Sequence, residues 1–382
     1  MKIAIITFHD TFNFGATLQC AALFRYLSSQ GHCVLVINYM PEYVRRKKSA
    51  GRLFSGLKEI IGFVPKCKAL FKAISYFSHV FSFHRRNVLY QDFLSRHVER
   101  TDVISDPRSI GAINADFYIC GSDQIWNPNL TGGDFDSAFF LNPVSGRKAA
   151  YGVSTGETDL FAYSDRLREL TSEFESISAR ESKTAGELSS ILNRKIETVL
   201  DPSLLLDEED YREMESAIPD EEPYVLVYTV SPAPAANAGA LKIAADKGWK
   251  ILDISPHPFI KIPGAKKIDH IGPGEFLTYI KQAEFIITNS YHGTVFSILY
   301  KKYFFSFPNR KRSGRTIELL RTLGLRDRLT KYAEFITYEM INYDKVFEKL
   351  DQARKSSYAY LHQSICLRTS SANNPSSSNL SS

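Results

Sequence analysis

The first 38 residues restrict the fold more than any other stretch of the chain. Residues 2–8 form a short apolar run that reads as a buried strand. Cys20, Leu23, Phe24 and Leu27 then recur at i, i+3, i+4 and i+7, the stripe of an amphipathic helix. Gly31 supplies a C-terminal stop, and residues 33–38 form a second run rich in Val and Ile. Strand, helix and strand at this spacing make a βαβ unit, whose helical crossover joins strands running the same way. A chain that opens so is committed to a parallel sheet covered by helices.

The alternation continues. Strand-like runs recur at 116–120, 148–153, 177–179 and 196–200, and Leu160, Tyr163, Leu167, Leu170 and Phe174 mark a helix. A second series opens with a strand at 224–230 and an Ala-rich helix at 235–246. It runs on through strands at 249–254, 285–288 and 303–307 and helices near 275–282, 294–300 and 315–323. The expected architecture is α/β, with two Rossmann-like domains facing across a cleft; 382 residues, 44% of them hydrophobic, supply two cores. The expected divisions are an N-terminal domain at 1–206, an acidic linker at 207–223 and a C-terminal domain at 224–342. A C-terminal helix at 343–367 crosses back over the first domain, and a Ser/Asn-rich tail at 368–382 is expected to be disordered.

Composition narrows the function classes. A net charge of +5 is too modest for a nucleic-acid binder without a concentrated patch. Five cysteines, scattered and without CxxC spacing, read as reduced residues and not as a disulfide framework or zinc site. The apolar start is too short for a signal peptide, and no run approaches the ~20 residues of a membrane span. A cytoplasmic protein is therefore expected. Residues 41–90 are an exception in charge, a basic helical insertion with eleven Lys/Arg against two Glu. They read equally as a solvated face or as a peripheral contact with the inner, anionic face of a membrane.

In open parallel sheets, ligands bind beyond the carboxyl ends of the strands, where helix N-termini converge. The residues following each expected strand are polar, small or charged. Asn13 and Gly15 follow the first and resemble a phosphate-cradling turn, though they do not form GxGxxG. Asp123, Gln124, Trp126 and Asn127 lie in the densest polar cluster, with Trp126 a candidate sugar-stacking wall or a half-buried structural residue. Arg180 follows a short strand and could clasp a carboxylate or phosphate with two parallel hydrogen bonds. Ser290, Tyr291, His292 and Gly293 join a strand to an apolar helix, where Gly293 would permit a tight turn and His292 would sit at a helix N-terminus. Asp134-Phe135-Asp136 has DxD spacing but lacks a preceding strand, so no metal site is expected.

These motifs together resemble the polysaccharide pyruvyl transferase family. The resemblance rests on Asn13-Phe14-Gly15-Ala16-Thr17-Leu18-Gln19, Gly121-Ser122-Asp123-Gln124-Ile125-Trp126-Asn127 and Ser178-Ala179-Arg180-Glu181-Ser182. It extends, in order, through Leu200-Asp201-Pro202-Ser203, Gly272-Pro273-Gly274-Glu275-Phe276, Thr288-Asn289-Ser290-Tyr291-His292-Gly293-Thr294 and Ser313-Gly314-Arg315. It implies a fold similar to two-domain GT-B glycosyltransferases, with phosphoenolpyruvate as co-substrate and no metal or other cofactor. The acceptor would be a sugar of a surface polysaccharide or a lipid-linked oligosaccharide precursor, two of whose hydroxyls receive pyruvate as a ketal. His292 and Asp123 would be the acid–base residues. Arg180, Asn13, Gly15, Ser290, Tyr291, Gly293 and Arg315 would bind the donor, and Gln124, Trp126 and Asn127 the acceptor. Members often carry Arg-Leu-His where this chain has Ser290-Tyr291-His292, leaving Arg315, Arg310 and Lys311 as the cations available instead. The cleft equally suits a nucleotide-sugar-dependent glycosyltransferase, and the serine is the feature that would favour a non-catalytic member of a polysaccharide pathway.

Overall fold

The computed structural model describes residues 1–47, 84–219, 221–256, 261–309 and 313–366. Most of the basic insertion, Arg310, Lys311 and the tail at 368–382 therefore lie outside the described residues, as does Cys67.

The first domain is a six-stranded parallel sheet in the order β2-β1-β3-β4-β5-β6. Its strands are β1 (Lys2–Ile6), β2 (Cys33–Val36), β3 (Phe117–Cys120), β4 (Lys148–Val153), β5 (Ser176–Ala179) and β6 (Glu197–Thr198). Helices α1 (Phe14–Ser29), α2 (Glu42–Lys47), α3 (84–97), α4 (Ser164–Thr171) and α5 (Ser182–Leu192) connect or cover them. Strands β3 and β4 are buried along their whole length, which is why they read as unbroken apolar runs rather than alternating ones. The chain steps from β1 to β2 on one side and returns to place β3 on the other, so a switch point opens between β1 and β3.

A short helix, α6 (Glu208–Arg212), follows, and then the second sheet in the order β11-β10-β7-β8-β9. Its strands are β7 (Tyr224–Tyr228), β8 (Lys250–Asp253), β9 (Lys266–Lys267), β10 (Phe285–Thr288) and β11 (Tyr303–Ser306). Helices α7 (Pro234–Lys247), α8 (Pro273–Gln282), α9 (Tyr291–Leu299) and α10 (Gly314–Thr322) flank it. Its switch point lies between β7 and β10, where the Val230 amide donates to the Asn289 side chain at 2.7 Å. The acidic stretch at 207–223 is more than a tether, because Tyr211 and Met214 within it are buried in the core.

One apolar cluster runs through both domains. Phe14, in the first turn of α1, stacks on Phe276 of α8 at 4.5 Å and on Tyr90 of α3 at 5.8 Å, with Tyr228 of β7 tilted against it at 5.7 Å. Each such aromatic pair contributes about 0.5–1.5 kcal/mol beyond area burial, so this seam is a strong inter-domain contact. A glycine completes it. A Cβ added to Gly15 would lie 2.0 Å from Nδ1 of His292, so the bare backbone of α1 lets the histidine of α9 lie against it.

The last helix, α11 (Tyr343–Cys366), returns to the first domain. Tyr360 donates to the Ala150 carbonyl of β4 at 2.9 Å, and Tyr358 donates to Leu205 at 2.8 Å. Buried Arg354 donates to the carbonyls of Leu204 and Leu206, each at 2.7 Å, and pairs with Asp207 at 2.7 Å. Among the described residues no helix is long and apolar enough to cross a membrane.

Two substitutions measure these seams by chemical denaturation. Arg354→Ala strands two carbonyls and is expected to cost about 2–4 kcal/mol. Gly15→Ala is expected to cost about 1–3 kcal/mol, because the new methyl and the His292 ring cannot share one place. Wild-type stability in either variant would show that the seam is slack.

Candidate active site

Both switch points open onto one cleft of about 340 Å³ between the domains. From the first domain it is lined by Asn13, Asp123 and Gln124, and from the second by Ser290, Tyr291, His292 and Arg315. The expected catalytic and donor-binding residues thus converge on a common region, although Arg180 stands behind Tyr291 and lines a smaller pocket on its far side.

Behind the cleft, beside that smaller pocket, sits Asp201, fully buried in the turn after β6. Its Oδ1 accepts the Ser203 amide at 2.9 Å, and its Oδ2 accepts from Nη1 of Arg180. Nε2 of His292 stands 3.5 Å from the same Oδ2, within ion-pair reach but outside hydrogen-bond geometry. Burial by itself would raise the Asp201 carboxyl, but His292 and Arg180 outweigh it and hold the group far below the usual carboxylate range. Burial likewise works against the Arg180 guanidinium, and the carboxylates of Asp201, Glu181 and Asp123 more than offset it. The result is a buried charge cluster in which both domains take part.

Arg180 also has Glu181 Oε1 at 3.5 Å from its Nε and Asp123 Oδ1 at 3.9 Å from its Nη2. Neither Nε nor Nη2 makes a hydrogen bond, and neither does Nε2 of His292. Arg315 approaches from α10, its Nε 3.6 Å from the same Glu181 oxygen. Both guanidiniums also approach the Tyr291 ring, whose centroid is 5.4 Å from Cζ of Arg180 and 5.3 Å from Cζ of Arg315. Burial, and then the nearby charge of Arg180, lower the pKa of Arg315. Two like charges converging on one buried ring, with donors left over, form an anion-binding arrangement.

The local sequence explains these positions. Asn13 caps α1, its side chain accepting the Gly15 amide at 3.0 Å. The amide of Gly15 is thereby committed, and the glycine serves close packing of His292 more than it cradles a phosphate. Ser290 caps α9 by accepting from the Gly293 amide at 3.3 Å, which brings Tyr291 and His292 inside the first helical turn. The helix thus begins three residues earlier than the apolar pattern indicates. Gly293 makes no tight turn. It is helical, and a Cβ there would meet Oγ1 of Thr288 at 2.3 Å. Asp123 holds φ at 83°, the left-handed region that side chains rarely occupy, and strain of this kind concentrates at functional sites.

Trp126 requires correction. It is fully buried, stacks on Phe140 at 4.5 Å and donates its indole N–H to the Phe139 carbonyl at 2.9 Å. The ring is core and offers no stacking surface to a sugar. Asn127 binds within its own loop, donating to Gln124 at 3.0 Å and accepting the Asn129 amide at 3.0 Å, while still lining a neighbouring pocket. Asp136 is occupied by the hydroxyls of Tyr39 and Tyr43 at 2.9 and 2.7 Å. The sequence reading assigned no role to Asp201 or Glu181. Both stand in the motifs that carry the family resemblance, and a carboxylate beside an apolar strand end was the available signal.

Among solved structures, the chain is similar to UDP-GlcNAc 2-epimerase from Neisseria meningitidis, at 12% identity and a TM-score of 0.46, over 95% of this chain and 94% of that one. UDP-GlcNAc 2-epimerase from Methanocaldococcus jannaschii matches at 15% identity and a TM-score of 0.44, over 93% and 92%. The E. coli heptosyltransferase WaaC matches at 10% identity and a TM-score of 0.42, over 92% and 100%. No curated protein matches the sequence. The family model for polysaccharide pyruvyl transferase matches residues 13–311, a span that begins at the cap of α1 and includes Asp123, Arg180, Asp201 and His292. The chain belongs to the polysaccharide pyruvyl transferase family.

Proposed function

We propose that the protein transfers the pyruvyl group of phosphoenolpyruvate to two hydroxyls of a sugar in a surface polysaccharide or its precursor, forming a ketal. The observation that carries this reading is the set of guanidinium donors beside the cleft that have no hydrogen-bond acceptor. Arg180 and Arg315 approach one ring, with Nε and Nη2 of Arg180 lacking acceptors. A small ligand bearing both a carboxylate and a phosphate supplies the acceptors that these donors lack. The N-termini of α1 and α9 face the same space and favour negative charge.

The chemistry needs a proton donor for the methylene carbon of the enol and stabilisation of the departing phosphate. His292 fits the first task. Asp201 stands behind its Nε2, and the residue itself lines the cleft. A carboxylate behind one nitrogen stabilises the charged ring and orients the other nitrogen. Asp123 is the second candidate for acid–base work. The guanidiniums and helix N-termini serve the phosphate as it leaves. Arg315 contributes the cation that Ser290 does not.

Calorimetric titration with phosphoenolpyruvate tests the donor. Wild type is expected to bind, and Arg180→Lys, which keeps the charge facing Asp201 but loses the planar fork, to bind at least about 30-fold more weakly, the equivalent of ~2 kcal/mol. His292→Ala is expected to lower turnover by about 100-fold or more. A folded wild type stabilised by nucleoside diphosphates and not by phosphoenolpyruvate would replace this reading with nucleotide-sugar transfer.

Acidification provides a separate check on Asp201. The folded Asp201 carboxyl lies far below its unfolded value, so its stabilisation is complete above the ordinary carboxylate range and is lost as pH falls through and below about 4. Urea midpoints of wild type are expected to drop over that window more steeply than those of Asp201→Asn. Parallel pH curves would deny Asp201 this role.

A further inference from the structure

Beside the donor cleft, between the first domain and α10, lies a second pocket of about 350 Å³ whose walls include Gln124, Asn127, Glu157, Glu181, Lys183 and Arg315. Gln124, Leu130 and Arg315 line both spaces, so ligands occupying each would meet at those side chains. Leu130 is the one large apolar residue in the wall, and the rest is amide, hydroxyl, carboxylate, cation and backbone. With Trp126 sealed in the core, such a wall recognises its ligand by hydrogen bonds and not by stacking. Many hydroxyls within a few ångströms are the property of a pyranose ring.

Glu181 stands where the pocket meets the charge cluster, nine-tenths buried with 9% of its surface exposed. Its Oε1 accepts from Ser154 Oγ at 2.8 Å and faces Arg180 and Arg315 at 3.5 and 3.6 Å. Its Oε2 has no hydrogen-bond partner. A buried acidic oxygen without a donor is costly, and a ligand hydroxyl is the donor this pocket can admit.

We propose that this pocket is the acceptor site, that it takes a hydroxyl-rich pyranoside, and that Glu181 accepts the proton of the attacking hydroxyl. The proposal rests on the pyruvyl-transfer reading for its chemistry. The donor methylene carbon gains a proton, and the acceptor oxygen forms a bond to the central carbon as its own proton passes to Glu181. The carbon–oxygen bond to phosphate then breaks, with the electron pair leaving on phosphate. The second hydroxyl closes the ketal. Over the cycle the two hydroxyl protons are balanced by one on the new methyl group and one on the released phosphate, so Glu181 ends as it began.

The full-length protein tests this with a panel of methyl hexopyranosides, read by saturation-transfer NMR, and with phosphate release from phosphoenolpyruvate. Glu181→Gln keeps the shape of the side chain and removes the base. It is expected to retain sugar and phosphoenolpyruvate binding within about threefold while turnover falls about 100-fold. Asn129→Trp, at an exposed position on the rim, fills the pocket and carries the test even where Glu181→Gln fails to fold. It is expected to abolish saturation transfer from the sugar and leave the thermal shift by phosphoenolpyruvate unchanged. Undiminished transfer in Asn129→Trp, no transfer to wild type from any hexopyranoside, or near-normal turnover of Glu181→Gln would each overturn the proposal. Should wild type bind a hexopyranoside and not phosphoenolpyruvate, the donor reading fails with the proton-transfer step, while loss of sugar binding in Asn129→Trp still upholds the site.

Discussion

A single buried carboxylate organises the centre of this protein. Asp201 has no exposed surface, and burying an unpaired carboxylate costs several kcal/mol even after relaxation. It is tolerated because Arg180 comes from the end of β5 and His292 from the start of α9, one from each domain. The same requirement fixes how closely the domains approach. His292 reaches Asp201 only if its ring passes over α1, and that passage exists because residue 15 has no side chain. The aromatic seam around Phe14 then closes beside it, so packing and electrostatics specify one arrangement of the two sheets.

The charge cluster is also a device for holding donors in reserve. Arg180 is balanced by three carboxylates, yet two of its nitrogens make no hydrogen bond. Tyr291 supports it and Arg315 through the face of its ring, an interaction that attracts cations without using their N–H groups. Charge neutrality is thus met by carboxylates, while part of the hydrogen-bonding capacity of Arg180 stays unspent. A site preorganised in this way has little reorganisation left to make when charge develops on a leaving phosphate.

Much of this was legible in the sequence, and the failures have physical causes. The parallel sheets were readable because strands buried on both faces leave unbroken apolar runs, as in β3, β4 and β10. The polar residues after those strands were readable because a parallel sheet gathers its strand ends at one edge. The start of α9 was missed, since Tyr291 and His292 are polar-tipped residues in a helix buried on all sides and break the apolar pattern. Trp126 was misjudged because its neighbours in sequence are polar while its neighbours in space are Phe140 and Phe174. Glu181 went unassigned because nothing in the sequence beside Arg180 marks either residue as buried. Both are buried, and only the fold brings Ser154 and Arg315 to the same oxygen.

The serine at position 290 illustrates how a local change is absorbed at a distance. Ser290 is an effective cap for α9, accepting an amide that arginine could not accept. Its neighbour Tyr291 presents a ring on which a cation can rest, and Arg315 of α10 rests there. Leucine in place of Tyr291 would give Arg315 no such face, and the guanidinium would depend on Glu181 alone to hold it near Arg180 against their mutual repulsion. Cap, ring and second guanidinium therefore form one unit. The positive charge of the cleft is set by their joint geometry, and the identity of residue 290 alone does not decide what the cleft can bind.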